Sequence, residues 1–225
     1  MRKTGEEKAN NRVIKVTGEA TVGAKPDQAV ISLNVSELSA NYSEAVSGLD
    51  SSVNEIKTAL SKLHIDVNLL KTSSFNVNTE YEGYSDDKGV WKNRFVGYRA
   101  TESLKLELGL DNKLLGELLT AVSASSAHPE IYVRFSVKDK TKLKDRLISR
   151  AVKDSARKAK LLCEAAGVEL GEVIAINYSF REPEIFSHTA YNRGVGLMEA
   201  KAATCDVTPE DVTLTDSVTV LWEIK

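Results

Sequence analysis

Two runs of period-two alternation, joined by Pro26-Asp27, constrain this chain more than any other feature. Val16, Gly18, Ala20, Val22 and Ala24 fall on every second residue, and Ala29, Ile31, Leu33 and Val35 begin a second alternation beyond the break. Successive side chains of a strand point to opposite faces, so each run reads as a strand with one buried face. Pro fixes φ and Asp can bond its own backbone, which suits a strand-to-strand connection. Strands over 12–24 and 28–39 are therefore expected.

Further along, Val46, Leu49, Val53, Ile56, Leu60 and Leu63 recur at spacings of three and four, the stripe of an amphipathic helix. Asn41 with Glu44 three residues on resembles a capping box at its start. Phe75, Val77, Thr79 and Tyr81 mark a strand, and 83–89 reads as an exposed turn. Residues 96–108 alternate most cleanly, with Tyr98, Leu104 and Leu106 on the apolar side. Asp111 caps a short helix carrying Leu114, Leu115, Leu118, Leu119 and Val122, and Ile131, Val133, Phe135 and Val137 form another strand. A long helix over 141–166 places Leu143, Leu147, Ala151, Ala159 and Leu162 inward and ends at Gly167. Residues 173–180 are apolar on both faces, which predicts a central strand. Val212, Leu214, Val218, Val220, Trp222 and Ile224 make the closing strand, after an irregular connection over 181–209. Strands outnumber helices, so the class is α+β: a mainly antiparallel sheet, helices on one face, and two intertwined βα sub-domains within 12–225. The polar, aperiodic residues 1–11 read as a disordered tail.

Thirty basic and 32 acidic residues give a net charge of −2, so no global field draws the chain to nucleic acid or to an anionic membrane. Nothing approaches the 18 or so apolar residues of a membrane span, and no insertion is expected. Residues 1–12 are charged without an apolar h-region. As written the chain reads as cytoplasmic, and a leader cut from it would make it periplasmic or exported.

The opening run, together with three further segments, resembles the SIMPL-domain family, of the bacterial periplasmic-immunogenic-protein and interleukin-1-receptor-kinase-binding kind. Gly97–Leu108 is similar to its central Y-x-A strand. Ala151, Asp154, Ala156, Lys158, Ala159, Gly167, Leu170 and Gly171 match its helix-then-Leu-Gly pattern, and 213–224 resembles its closing strand. Where the family carries Pro-Gly before that strand, this chain has Pro209-Glu210. The resemblance implies a two-part α+β architecture, self-assembly into homo-oligomers, export in bacterial relatives and a link to oxidative-stress tolerance.

The chemistry-bearing residues form no constellation. His64, His128 and His188 lie far apart, with no metal-ligand spacing, so surface or capping roles are expected and no metal or cofactor. Cys163 falls near the inner face of the long helix, and Cys205 precedes Asp206, whose charge disfavours a thiolate. The two are expected to stay unjoined. The basic residues from Lys140 to Lys160 interleave with Asp145 and Asp154 and with no aromatics, which reads as a solvated face. Gly194-Val195-Gly196 is a short flexible element, not a nucleotide loop.

Phe180, Phe186 and Tyr191, near Tyr178, have two readings: a loop that covers the core, or aromatic anchors of a contact surface. The expected protein is non-enzymatic and acts by self-assembly and binding, with those three residues as candidate interface. The alternative is a small-ligand carrier or an enzyme with a pocket near the 181–209 loop.

Overall fold

A computed structural model of the chain describes residues 12–179, 184–193 and 207–225. The tail at 1–11, Phe180, Gly194-Val195-Gly196 and Cys205 lie outside the described residues. The first two runs form β1 (Val13–Ala24) and β2 (Gln28–Ser39) on either side of Pro26-Asp27, but they enter different sheets. The chain divides into two compact units, each assembled from separated segments.

In the first unit, β1 pairs along its whole length with β8 (Val212–Ile224), and β8 pairs on its other side with β6 (Leu170–Asn177). All pairings are antiparallel, in the order β1-β8-β6. The long helix α3 (Lys140–Ala166) lies against β1 and β8. Asp139 caps it by accepting from the Lys142 N–H (2.8 Å), and Gly167 ends it in the left-handed region. Its buried positions are Leu143, Leu147, Ala151, Ser155, Ala159 and Cys163, one every four residues. Rows at that spacing run oblique to a helix axis, which lets a long helix follow a twisted sheet. The inward position near the end therefore goes to Cys163, while Leu162, expected inside, is half exposed.

The expected central strand at 173–180 is instead β6, which ends at Asn177 and lies at the sheet edge. Val173, Ile174 and Ile176 are each about half exposed. Apolar residues on both faces mark a strand meant to be covered on both sides. Among the described residues, β6 has only β8 as neighbour.

The second unit holds a five-stranded antiparallel sheet in the order β3-β4-β2-β5-β7. Its strands besides β2 are β3 (Lys71–Ser85), β4 (Trp91–Gly109), β5 (Glu130–Ser136) and β7 (Ala190–Arg193). Helices α1 (Tyr42–Lys62) and α2 (Asn112–Ser123) pack on one face, with Leu49, Ile56, Leu60 and Leu118 against Ile31, Leu33, Leu104, Leu106, Val133 and Phe135. Each such fully buried Leu or Ile contributes about 1.5–3 kcal/mol. A short 3-10 turn (Val67–Leu69) links α1 to β3.

Asp111 caps α2 as its spacing predicts, accepting from the N–H groups of Lys113 and Leu114. Asn41 occupies the N-cap of α1 but makes no side-chain cap bond. Ser39 takes over there, donating to Glu44 (2.7 Å) and accepting from the Asn41 N–H (3.2 Å). β3 and β4 are longer than their alternation indicates: β3 runs through 83–85, and the turn shrinks to 86–90. Part of the 181–209 connection is also regular, since β7 pairs with β5.

Candidate functional site

β2 pairs with β4 only as far as Ser39 opposite Tyr98, whereas β3 and β4 continue together to Ser85 opposite Trp91. Residues 81–85 and 91–95 therefore pair only with each other among the described residues. They form a five-rung ribbon, about 17 Å long, that runs on past the sheet. A register shift between Glu80 and Tyr81 leaves Val96 as an extra residue where the ribbon departs. Gly97 follows, and a Cβ there would lie 2.3 Å from the Ser39 carbonyl oxygen, so the end of β2 is accommodated only by glycine.

Ion pairs brace the root and tip of this arm. Arg99 donates to both Glu80 oxygens (2.6 and 3.0 Å), which holds the Glu80 carboxyl below the usual carboxylate range and raises Arg99. At the tip, Asp86 accepts from the Lys92 ammonium (2.7 Å) and from the N–H groups of Val90 and Lys88, and its pKa falls for those reasons in that order. Gly89 takes φ +74° to close the turn, with its N–H on the Asp86 carbonyl.

The two faces of the arm differ. On one, Glu82 meets Arg94 (2.6 Å) opposite it in the register, and the Arg94 guanidinium lies 5.8 Å from the Tyr84 ring centre. On the other, Tyr81 and Phe95 stand opposite each other with their rings edge-to-face at 5.7 Å. Phe95 meets Tyr98 at 5.4 Å, and Tyr98 meets Tyr42 at 5.8 Å. Trp91 extends the stripe to the tip and is 76% exposed. Tyr98 belongs to the face that α1 and α2 cover, so the aromatic stripe continues the core face beyond the helix layer. A stripe of Tyr, Phe and Trp left in water has the composition of an interface core.

Of the three predicted interface residues, Phe186 and Tyr191 lie elsewhere. Phe186 sits under the Arg134 guanidinium, 3.8 Å from ring centre to carbon, and is half-buried. Tyr191, on β7, packs against the core of the second unit. Phe180 is outside the described residues. Tyr178 donates to Asp216 (2.9 Å) in the first unit, and partial burial with that neighbouring carboxylate raises its pKa.

Among the described residues no group of three or more His, Cys, Asp or Glu could hold a metal ion. His64 and His128 adopt positive φ at the ends of α1 and of the 124–128 turn, and all three histidines are exposed. Cys163 is 2% exposed. An open groove of about 720 Å³ lies between α1 and α2, lined by Asn54, Glu55, Thr58, Lys62 and Ser125 among others. Glu55 is already engaged there by the Ser126 hydroxyl and N–H.

A family model described as "SIMPL: Protein of unknown function (DUF541)" matches residues 14–222. The chain belongs to the SIMPL family. It is 29% identical over 223 residues to the 26 kDa periplasmic immunogenic protein of Brucella melitensis, covering 94% of this chain and 84% of that one. The protein of the same name from Brucella abortus is 28% identical over the same spans. The uncharacterized protein YggE of Edwardsiella ictaluri is 26% identical over 175 residues, 73% of this chain and 67% of the relative.

The SIMPL-like segments of the sequence now have physical positions. Gly97-Tyr98-Arg99 forms the root of the arm, while Gly18 and Asp154 lie where β1 meets α3. The arm itself was missed by sequence reasoning, although a signal existed. Six of the chain's 14 aromatic residues fall between Phe75 and Tyr98, in a stretch otherwise polar. Aromatics dense in a polar hairpin are poorly explained by burial in a core, because the hairpin has too few apolar neighbours to bury them.

Proposed function

We propose that this SIMPL protein acts without catalysis, by associating with further copies of itself through the aromatic face of the β3–β4 arm. The observation that carries this reading is the stripe from Tyr42 to Trp91. It continues a core face, is braced at its root by the Arg99–Glu80 pair, and is largely exposed. A two-stranded ribbon is only marginally stable by itself, so a ribbon projecting with its apolar face bare gains stability from being covered. The names of the two Brucella relatives support a periplasmic site of action, and no described helix is long and apolar enough to cross a membrane. Any contribution to stress tolerance would work through the assembly rather than through the Cys163 thiol, which is buried.

Light scattering on the purified chain tests the proposal. Assembly predicts a mass that is a multiple of 24.6 kDa at micromolar concentration. Replacing Trp91 with Ser should cost about 2 kcal/mol of association, roughly 30-fold in Kd, as truncation of a large aromatic anchor does. A wild-type mass of 24.6 kDa would refute the reading.

A further inference from the structure

We infer that the outer face of α3 is a docking site for an anionic phospholipid surface. The inference is independent of the arm and of self-association. Lys142, Arg146, Arg150, Lys153, Arg157 and Lys160 follow one another at spacings of four, four, three, four and three. At 3.6 residues per turn those positions fall within an arc of about 80° and extend along about 27 Å of helix. All six residues are exposed. In the sequence they interleave with Asp145 and Asp154, but on the helix each of these acids lies about 90° from the centre of the face. Asp154 is turned instead to β1, where it accepts from the Glu19 N–H. A chain of net charge −2 thus carries a continuous line of cations on one helix.

Such an arrangement disfavours the helix. Like charges three or four residues apart repel, and a face kept only for solubility alternates its signs. Arg157 reaches Asp154 (2.7 Å) and Lys160 lies 3.9 Å from Glu164, but Lys142, Arg146, Arg150 and Lys153 make no ion pair among the described residues. Those four cations stand ready for a partner of opposite charge. The end of the face decides which partner. Directly after Lys160, Leu161 and Leu162 are exposed at 59% and 49%. Aliphatic side chains beside a basic stripe suit a lipid headgroup layer, where the cations meet phosphates and the leucines reach the acyl boundary. A nucleic-acid groove interleaves its cations with aromatics on which bases stack, and α3 has none. The buried row of α3 already packs against β1 and β8, so the helix adsorbs by its charged side without leaving its sheet.

Co-sedimentation of the full chain with vesicles tests this, using phosphatidylcholine alone and phosphatidylcholine with about one third phosphatidylglycerol. Binding is expected only to the anionic vesicles, and it should be lost between about 0.05 and 0.5 M salt as the headgroup charge is screened. Each cation at such a surface contributes about fivefold in affinity, so Arg150→Gln with Lys153→Gln should weaken binding about 30-fold. Lys142→Gln with Arg146→Gln should do the same, which guards against a folding defect in either pair. Comparing variants at the wild-type mass, read by light scattering, keeps avidity out of the result. Duplex DNA of equal phosphate content is the control: the wild type should bind it at least about tenfold more weakly than the anionic vesicles, and Leu161→Ser with Leu162→Ser should remove most of that difference. Equal affinity for both, insensitive to the leucine change, would overturn the lipid assignment in favour of a general polyanion contact. No binding to anionic vesicles at low salt, or binding that both glutamine pairs leave unchanged, would overturn the docking face altogether.

Discussion

Gly18 of β1 lies so close to α3 that a Cβ at that position would stand 2.0 Å from the carbonyl oxygen of Ala151. The Ser155 backbone nitrogen would be at 2.3 Å, and the Ser155 hydroxyl donates to the Val16 carbonyl at 3.1 Å. Backbone cannot step aside as a flexible side chain can. Gly18→Ala should therefore destabilise the chain by about 3 kcal/mol, at the upper end of overpacking costs. Gly23→Ala, where a Cβ would find only the Val212 carbonyl at 3.7 Å, should change stability far less. Urea midpoints of the two variants give the comparison, and equal midpoints would contradict it.

Asp154 clasps the same strand-helix contact. It accepts from the Glu19 N–H (3.0 Å), Lys158 (2.7 Å) and Arg157 (2.7 Å), and the hydrogen bond from Lys158 is the leading reason its pKa is depressed. A carboxylate with a lowered folded pKa contributes stability that is fully present above its unfolded pKa and is lost as pH falls. That unfolded value is about 3.9, so the contribution should fade below about pH 4. Asp154→Asn should melt below wild type at pH 7, with the gap narrowing as pH drops under 4. A gap independent of pH would show that the charge is not responsible.

Gly97 sets where the arm leaves the sheet. Gly97→Val places two methyl groups beyond a Cβ that already lies 2.3 Å from the Ser39 carbonyl oxygen. The expected result is a lower melting temperature together with loss of assembly, since the stripe from Tyr98 to Trp91 shifts with the root. Hydrogen exchange should show faster exchange across 81–95, and unchanged exchange there would contradict the role of Gly97 in setting the root of the arm.

Cys163 occupies the last buried position of α3. Its thiol should resist labelling in the native protein and react only on unfolding, read by peptide mass after a timed exposure to a thiol reagent. Rapid native labelling of Cys163 would contradict its burial.

The strands and helices were legible from periodicity because their buried faces are local: Ile31, Leu33, Leu104 and Leu106 announce an inward side through spacing alone. Periodicity reports which faces are apolar but not what covers them. β6 shows the difference, since its two apolar faces read as central while it stands at an edge. The separation of β1 and β2 into different sheets was likewise invisible, because pairing partners lie more than 190 residues apart: Thr17 with Thr219, Thr21 with Thr215. For the candidate site, loop aromatics at Phe186 and Tyr191 drew notice by contrast with their polar surroundings, yet both are partly covered. Trp91 and Phe95 were passed over because an exposed aromatic and a buried one share the same alternation.

Trp91 reports directly on whether the arm is covered. In a Trp222→Phe variant it is the single tryptophan, 76% exposed in the isolated chain. Emission and acrylamide quenching, followed against concentration alongside scattered mass, test the central claim. Assembly through the arm predicts a blue shift and protection from quenching that rise together with mass. A mass that rises while Trp91 emission and quenching stay constant would contradict it.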